Sequence, residues 1–306
     1  MNLPRGTEAR RAEEAPNARF MTKQERAQHS YQATFEAWKN EPKNKENRCP
    51  VLLGKDAETD ELIGVADDRH LMTVAGSRSG KSSTCLKPNL LLWPSSILCL
   101  DPKGELAAFA AEHREAMGQD VFVLDPFNAT KGTAAEKYQT SFNLLDELRE
   151  GSEDDLIDDA AMLADSLIVP DKGGDSHWTS AAKNLLRGLI LYALLNPETS
   201  LNDIRHTLTL PQKVTKDDDT EAQGKADTLS SAFTRMQAVG DALGGVVAGG
   251  GSTMIGKPEN ERGSIISTAI EQTAFLDSMP MQRHLQGRGL PSLRNLKRKP
   301  TTVRGR

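Results

Sequence analysis

The chain has 306 residues, of which 37% are hydrophobic and 26% charged, with a formal net charge of -5 and a mean hydropathy of -0.51. This supplies a globular core for about two domains and argues against a general electrostatic affinity for DNA. Only 5% of residues are aromatic, so platforms for stacking single-stranded bases are scarce, and no stretch approaches the ~20 apolar residues of a membrane span.

Residues 1–47 are expected to form a polar, mobile or marginally helical region, since Glu13, Glu14, Lys23, Glu25 and Arg26 leave no sustained apolar face. Met1-Asn2-Leu3-Pro4-Arg5 leads into charges and not into the apolar core of a signal peptide. Order is expected from near Pro50, with residues 51–54 and 61–65 forming a hairpin around residues 56–60.

Thr73 and Val74 end a short apolar run that predicts a strand. Ala75-Gly76-Ser77-Arg78-Ser79-Gly80-Lys81-Ser82 then lines up with the phosphate-loop pattern G-x-x-x-x-G-K-[ST], with Ala in place of the first Gly. Gly76 and Gly80 permit backbone conformations that turn successive N–H groups inward at the start of a helix, where the dipole favours an anion. Lys81 is expected to reach the β- and γ-phosphates of a nucleoside triphosphate, and Ser82 to hold Mg²⁺. Ser83 opens a helix over 83–92 that Trp93-Pro94 closes. A Gly/Ser-rich turn also matches short patterns by chance, so the motif carries weight through its strand-before, helix-after context.

Residues 96–100 predict a second strand that delivers Asp101 to its C-terminal end, where ligands sit in open parallel sheets. Asp101 is a candidate to hold a metal-bound water, with Lys103 and Glu105 flanking the same place. The alternative is that Asp101-Pro102 caps a helix beginning near Gly104. A helix over 105–117 and a strand over 121–124 continue an alternation that implies a parallel sheet. Asp125-Pro126-Phe127 closes that strand, and a turn-forming Asp-Pro needs no ligand.

After residue 141 the pattern becomes helical. Leu156, Ala160, Leu163 and Leu167 recur at helical spacing, as do residues 178–195 and Ile265, Ile266, Ile270 and Phe275. Residues 200–210 add a short helix and 213–224 a charged loop. The most apolar helix, 185–195, is too short to span a membrane and carries Arg187, so it reads as a core helix. Gly244-Gly245 and Gly249-Gly250-Gly251 are expected to break any helix and form a mobile loop. His177 and Trp178 read as the start of a helix with a core Trp. From Gln282 onward there is no acidic residue, while Arg283, Arg288, Arg294, Lys297, Arg298, Lys299, Arg304 and Arg306 accumulate, a run expected to be a solvated, mobile end. Cys49, Cys85 and Cys99 show no pairing pattern and predict neither disulfide nor zinc site; the last two are expected to be buried, in a reducing compartment.

The blocks GSRSGKSS, KPNLLLWPSSILCLDPKGEL, GQDVFVLDPF, Phe142-Asn143-Leu144-Leu145-Asp146, Asp175-Ser176-His177-Trp178 and Lys299-Pro300-Thr301-Thr302-Val303 follow one another in register. In this order they resemble the TraG/TraD-type coupling ATPases of type IV secretion and conjugation systems, over roughly residues 48–303. The resemblance implies an α/β P-loop NTPase of the RecA-like type with an inserted all-α domain. It also implies ATP and Mg²⁺ as ligands, a hexameric ring at the inner membrane, and partners that are a relaxase–DNA complex or secreted protein substrates together with secretion-channel components.

Gly76, Ser77, Arg78, Ser79, Gly80, Lys81, Ser82 and Ser83 would form the cradle, Ser82 and Asp101 would hold the metal, and Lys81, Asp101 and Glu105 would act in catalysis. The chain departs from the family pattern in two ways. No transmembrane anchor is read in these residues, and the expected location is cytoplasmic, at the inner membrane through partners. No apolar strand ending in Asp-Glu follows the Lys-Pro-Thr-Thr segment, and Asp146-Glu147 is no substitute by spacing. The expected sheet is therefore incomplete, with exposed apolar edges, and nucleotide binding is expected to be better retained than hydrolysis. The expected divisions are a polar region 1–47, a first nucleotide-binding part 48–140, a helical insertion 141–280 and a truncated basic return segment 281–306. The competing expectation is a non-catalytic assembly or binding module.

Overall fold

A computed structural model describes residues 21–44, 47–169, 176–212, 227–287, 292–298 and 301–305. The charged segment 213–224, Asp175, Arg288, Lys299 and Arg306 lie outside the described residues. The chain divides into two compact units, Met1–Ser95 and Ser96–Arg306.

In the first unit, helix α1 (Lys23–Ala27) starts at Thr22, whose hydroxyl accepts the Glu25 N–H while the Glu25 carboxylate accepts the Thr22 N–H. Helix α2 (Tyr31–Asn40) follows, with Ser30 accepting from the Ala33 N–H. Tyr31 is buried, and the rings of Tyr31, Phe35 and Trp38 lie 5.8 and 5.6 Å apart in succession. The expectation that residues 1–47 hold no apolar face is thus corrected for α2. Three aromatic residues at i, i+4 and i+7 make a helical stripe even when charged residues surround them.

The expected hairpin is present: β1 (Val51–Lys55) pairs antiparallel with β2 (Leu62–Val65), with a bulge between Leu52 and Gly54. Arg26 joins α1 to its turn through a 2.5 Å ion pair with the buried Asp56. Residues 71–74 do not form the expected strand. Met72 and Val74 are 87% and 80% exposed, and no ladder partner reaches them among the described residues. An apolar run becomes a strand only where another backbone satisfies its N–H and C=O groups.

The second unit contains a parallel sheet of order β3-β6-β4-β5, made of Ile97–Leu100 (β3), Asp120–Leu124 (β4), Gln139–Thr140 (β5) and Thr301–Gly305 (β6). The basic terminal run is therefore no free end over residues 301–305. Its backbone pairs with β3 on one side and β4 on the other, with Gly305 opposite both Leu100 and Leu124. Side-chain charge suggested a solvated segment, but the ladder uses backbone groups that charge patterning does not report. On β3, Leu98 and Leu100 are 59% and 76% exposed. Cys85 and Cys99 are only half-buried and not core residues as expected, and all three cysteines are free.

Helix α4 (Glu105–Ala116), numbered after α3 of the first unit (Lys87–Leu92), crosses from β3 to β4 and buries Ala107 and Ala111 with Val121 and Val123. The helical insertion then begins with α5 (Leu144–Arg149), capped by Asn143, whose side chain accepts the Leu145 N–H. It continues through α6 (Leu156–Leu167), α7 (Ser176–Leu194), α8 (Leu201–Thr209), α9 (Leu229–Ala238), α10 (Val246–Gly256), α11 (Glu259–Gln272), α12 (Met279–Leu285) and α13 (Asn295–Arg298).

Helix α7 is the centre of this body, with Leu186, Ile190 and Leu191 fully buried among residues of α8, α9, α10 and α11. Arg149 satisfies the carbonyls that α7 leaves open at its end, donating to Ala193 O at 3.1 Å and Asn196 O at 2.7 Å. Arg205 clamps Asp277 through two nitrogens, at 2.7 and 2.5 Å, and reaches Ile270 O at 2.6 Å.

The Gly249-Gly250-Gly251 run is helical, inside α10, where a mobile loop was expected. The earlier Gly244 and Gly245 do break the chain, at φ of 64° and 77°. A glycine inside a helix costs about 1 kcal/mol against alanine, and here packing against α9 offsets it. A Cβ on Gly251 would stand 2.5 Å from Phe233 O and 3.0 Å from Gln237 N, both backbone atoms. Gly251→Ala should therefore lower stability by about 2–3 kcal/mol through overpacking. Gly256→Ala, where a Cβ meets nothing within 4 Å, should not, and urea denaturation of the two variants checks this.

Candidate functional site

The loop before α3 is built by two left-handed residues, Arg78 at φ 59° and Gly80 at φ 85°. Such values suit glycine and are uncommon elsewhere. Ser79 Oγ donates to Gly76 O at 2.8 Å, which closes the loop on itself. The N–H groups of Ser77, Arg78 and Gly80 donate to no backbone acceptor among the described residues, so they are the donors that an anion would use. Lys81 folds over the loop, with Nζ 2.8 Å from Ala75 O and 2.6 Å from Gly76 O. Ser82 and Ser83 are exposed in the first turn beyond it.

That first turn is a π-helix over Ser82–Leu86, which runs into α3. A π turn inserts a residue and shifts the carbonyl register, a feature often found at functional sites. Here Thr84 N and Thr84 Oγ1 both donate to Gly80 O, at 2.9 and 3.0 Å. Asn89 takes the register up: its Nδ2 donates to Cys85 O and to Leu52 O, both at 2.8 Å, while its Oδ1 accepts the Leu52 N–H at 2.8 Å. One side-chain amide thus pairs with both backbone groups of Leu52 as a neighbouring strand would, and it seats the loop's helix on β1. The sequence reading gave Asn89 no role. The signal available was an amide two residues into a helix after Pro88, a pattern too short to interpret alone.

In the second unit, Asp101 lies at the C-terminal end of β3, as expected, and is 7% exposed. Its Oδ2 accepts the N–H groups of Leu106 and Ala107, each at 2.8 Å, so the carboxylate caps α4. The capping reading of Asp101 is thus the one its hydrogen bonds bear out, with the strand end placing the residue where the cap is needed. Lys103 and Glu105 are exposed, with Glu105 the first residue of α4.

Asp125 repeats the device at the end of β4. Its oxygens accept from Ala129 N at 3.0 Å and from Thr130 N and Oγ1, each at 2.8 Å. Burial pushes this carboxyl up, yet the donors of Thr130, Ala129 and Phe127 outweigh burial and hold it below the ordinary carboxylate range. By register the two acidic ends stand on either side of Gly305. Asp146 and Glu147 serve structure, Asp146 pairing with Arg149 at 2.6 Å and Glu147 accepting from Leu293 N at 2.8 Å. Among the described residues, no group of three or more His, Cys, Asp or Glu side chains forms a metal-binding cluster, and no helix is long and apolar enough to cross a membrane.

A Gly-Lys-Ser loop opening a helix, Asp-Pro turns ending two parallel strands, and a large helical body inserted before the central strand define a mixed α/β protein of composite type. The sequence profile described as "Type IV secretory system Conjugative DNA transfer" matches residues 19–303, and the chain belongs to that family. It is 34% identical over 211 residues to the conjugal transfer protein TraG of Escherichia coli, an alignment covering 67% of this chain and 30% of that protein. It is 30% identical over 151 residues to the TraG of Rhizobium radiobacter, covering 47% of this chain and 22% of that protein. It is also 31% identical over 136 residues to the type IV secretion system-coupling protein VirD4 of Bartonella quintana, covering 42% and 20%. The chain thus matches less than a third of the length of these relatives.

Asn89→Ala leaves the Leu52 N–H and two carbonyls without their partner and should cost about 2 kcal/mol. Faster hydrogen exchange at the Leu52 amide checks it. Because the Asp125 pKa is depressed on folding, its contribution is present above the unfolded carboxyl pKa of about 3.9 and is lost as pH falls through the lower folded value. Asp125→Asn should destabilise by about 1–3 kcal/mol at neutral pH. That difference from the parent should shrink below about pH 4, as measured by urea midpoints across pH.

Proposed function

We propose that the chain is the nucleotide-binding portion of a conjugative coupling protein, with the P-loop NTPase fold that this role requires. The observation that carries the reading is the loop from Gly76 to Ser82, with its left-handed Arg78 and Gly80, donor N–H groups and overlying Lys81. These residues fit the triphosphate of ATP: backbone donors for the oxygens, an ammonium for the β- and γ-phosphates, and the Ser82 hydroxyl for Mg²⁺. Magnesium, when bound, neutralises charge between the terminal phosphates. Lys81 would exchange two carbonyl contacts for phosphate contacts, and Ser83 would extend the cradle by one residue.

Asp101 would hold a metal-bound water through Oδ1, since its cap on α4 engages Oδ2. Glu105 is the remaining acidic candidate for turnover. In this reading the helical body contacts the relaxase–DNA complex or protein substrates, and the protein works at the inner membrane beside secretion-channel components, as a homo-oligomer. Names of the relatives, TraG and VirD4, support the conjugation and secretion setting. The second reading is an assembly module that binds nucleotide without turning it over. It is favoured by the capping work of Asp101, which ties the main catalytic candidate to structure.

Titration with Mg·ATP, read by calorimetry and phosphate release, separates these readings. Lys81→Ala should weaken binding by about 30–100-fold, the loss of one charge-assisted contact of ~2–3 kcal/mol. Ser82→Ala should weaken it mainly in the presence of Mg²⁺. Binding that ignores Lys81, or no binding by the parent chain, rejects the nucleotide reading. Binding without phosphate release selects the assembly reading.

A further inference from the structure

The helical body holds a cleft of about 620 Å³ between α7 and α10. Its volume lies within the ~300–1,000 Å³ of ligand pockets. His177, Asn184 and Arg187 of α7 line one side, and Gly249, Thr253 and Lys257, at and just beyond α10, line the other. The glycines make the space. At Gly188 an added Cβ would meet Met236 Cε at 3.1 Å, so the cleft is closed beneath, whereas at Gly249 it would meet nothing within 4 Å.

Arg187 is the unusual group. It interrupts the most apolar helix of the chain, is half-buried, and forms no ion pair among the described residues. Its Nε is buried without a hydrogen-bond partner. A buried donor left unsatisfied is costly and rare. The other charges facing the cleft are accounted for: Lys257 pairs with Glu261 at 2.5 Å, and His177 Nε2 lies 3.9 Å from the same carboxylate. Among the described residues, Arg187 therefore leaves the cleft with one uncompensated guanidinium, beside apolar lining from Ala181, Leu185, Val246 and Met254.

We infer that this cleft binds a short peptide segment of another protein, with an apolar side chain against the walls and an Asp or Glu carboxylate on Arg187. Guanidinium matches carboxylate in a two-bonded fork. Bases of single-stranded nucleic acid would need aromatic platforms, and no Phe, Tyr or Trp lines the cleft. Charge complementarity and apolar walls together select an acidic, apolar-flanked peptide. The site lies wholly in the helical body and is independent of the nucleotide reading, so failure of either leaves the other standing.

The test presents immobilised chain with pentapeptide pools whose central residue is Asp or Glu, against pools with Asn or Gln there, all flanked by Leu, Ile, Val and Phe. Mass spectrometry reads what is retained. Acidic pools should be retained about 10–100-fold better than amide pools, the range for a charge-assisted bond. Arg187→Gln should remove that preference. Gly249→Leu fills the cleft without changing charge and should abolish retention of both pools, while thermal midpoints report that each variant is folded. Equal retention of the two pools, a preference that survives Arg187→Gln, or retention unaffected by Gly249→Leu would overturn the site. Arg187-dependent binding of a short oligothymidylate in place of the peptides would overturn it in favour of nucleic acid.

Discussion

The parallel sheet depends on one strand that arrives last. β3 and β4 do not pair with each other; each pairs with Thr301–Gly305 lying between them. Parallel strands need long crossovers, and this one holds the whole helical body between β5 and β6. The helical body must therefore return its chain to within a strand's spacing of where it left the sheet. The fixed contacts that achieve this include Glu147, which accepts from Leu293 N and Arg294 N, and the Phe142 N–H, which donates to His284 O at 2.9 Å. Closing a loop this long costs entropy that grows only slowly with length, so a large insertion is tolerated once its ends are tied.

A second constraint concerns strand ends. Asp101 and Asp125 each close a parallel strand, each precede a proline, and each use their carboxylates to accept the N–H groups of the following turn. An acid placed in this way is rigid before any ligand arrives. Rigid acidic groups at the C-terminal edge of a parallel sheet are where chemistry can be organised, and the same hydrogen bonds that restrain them also lower the affinity of Asp125 for protons. On Asp101 the cap engages Oδ2 alone, so the structural work is a matter of individual oxygens and not of the whole residue.

The loop at residues 76–82 follows the opposite design. It is exposed, and its geometry rests on two left-handed residues and on a π turn registered by Asn89 against Leu52. A single side chain thus links the curvature of the loop to the hairpin of its own unit. The helical body stands on α7, whose apolar faces bury Leu186, Ile190 and Leu191 while Arg187 lines the cleft shared with α10.

Much was legible from the sequence because it depended on local rules. The Gly-Lys-Ser pattern, the hairpin at 51–65, the β3–α4–β4 alternation and the helices at 156–167 and 201–209 follow from spacing and turn chemistry, which act within one or two turns of chain. Other features belonged to the tertiary structure alone. Residues 71–74 had the composition of a strand but no partner to bond, and 301–305 had the charge of a free tail but a gap between two strands to fill. Gly249 to Gly251 had the propensity of a loop, yet the run is helical, and at Gly251 backbone atoms of α9 sit so close that only glycine fits there. In each case the deciding energy came from backbone hydrogen bonding or close packing with residues far along the chain, which propensity and periodicity cannot register.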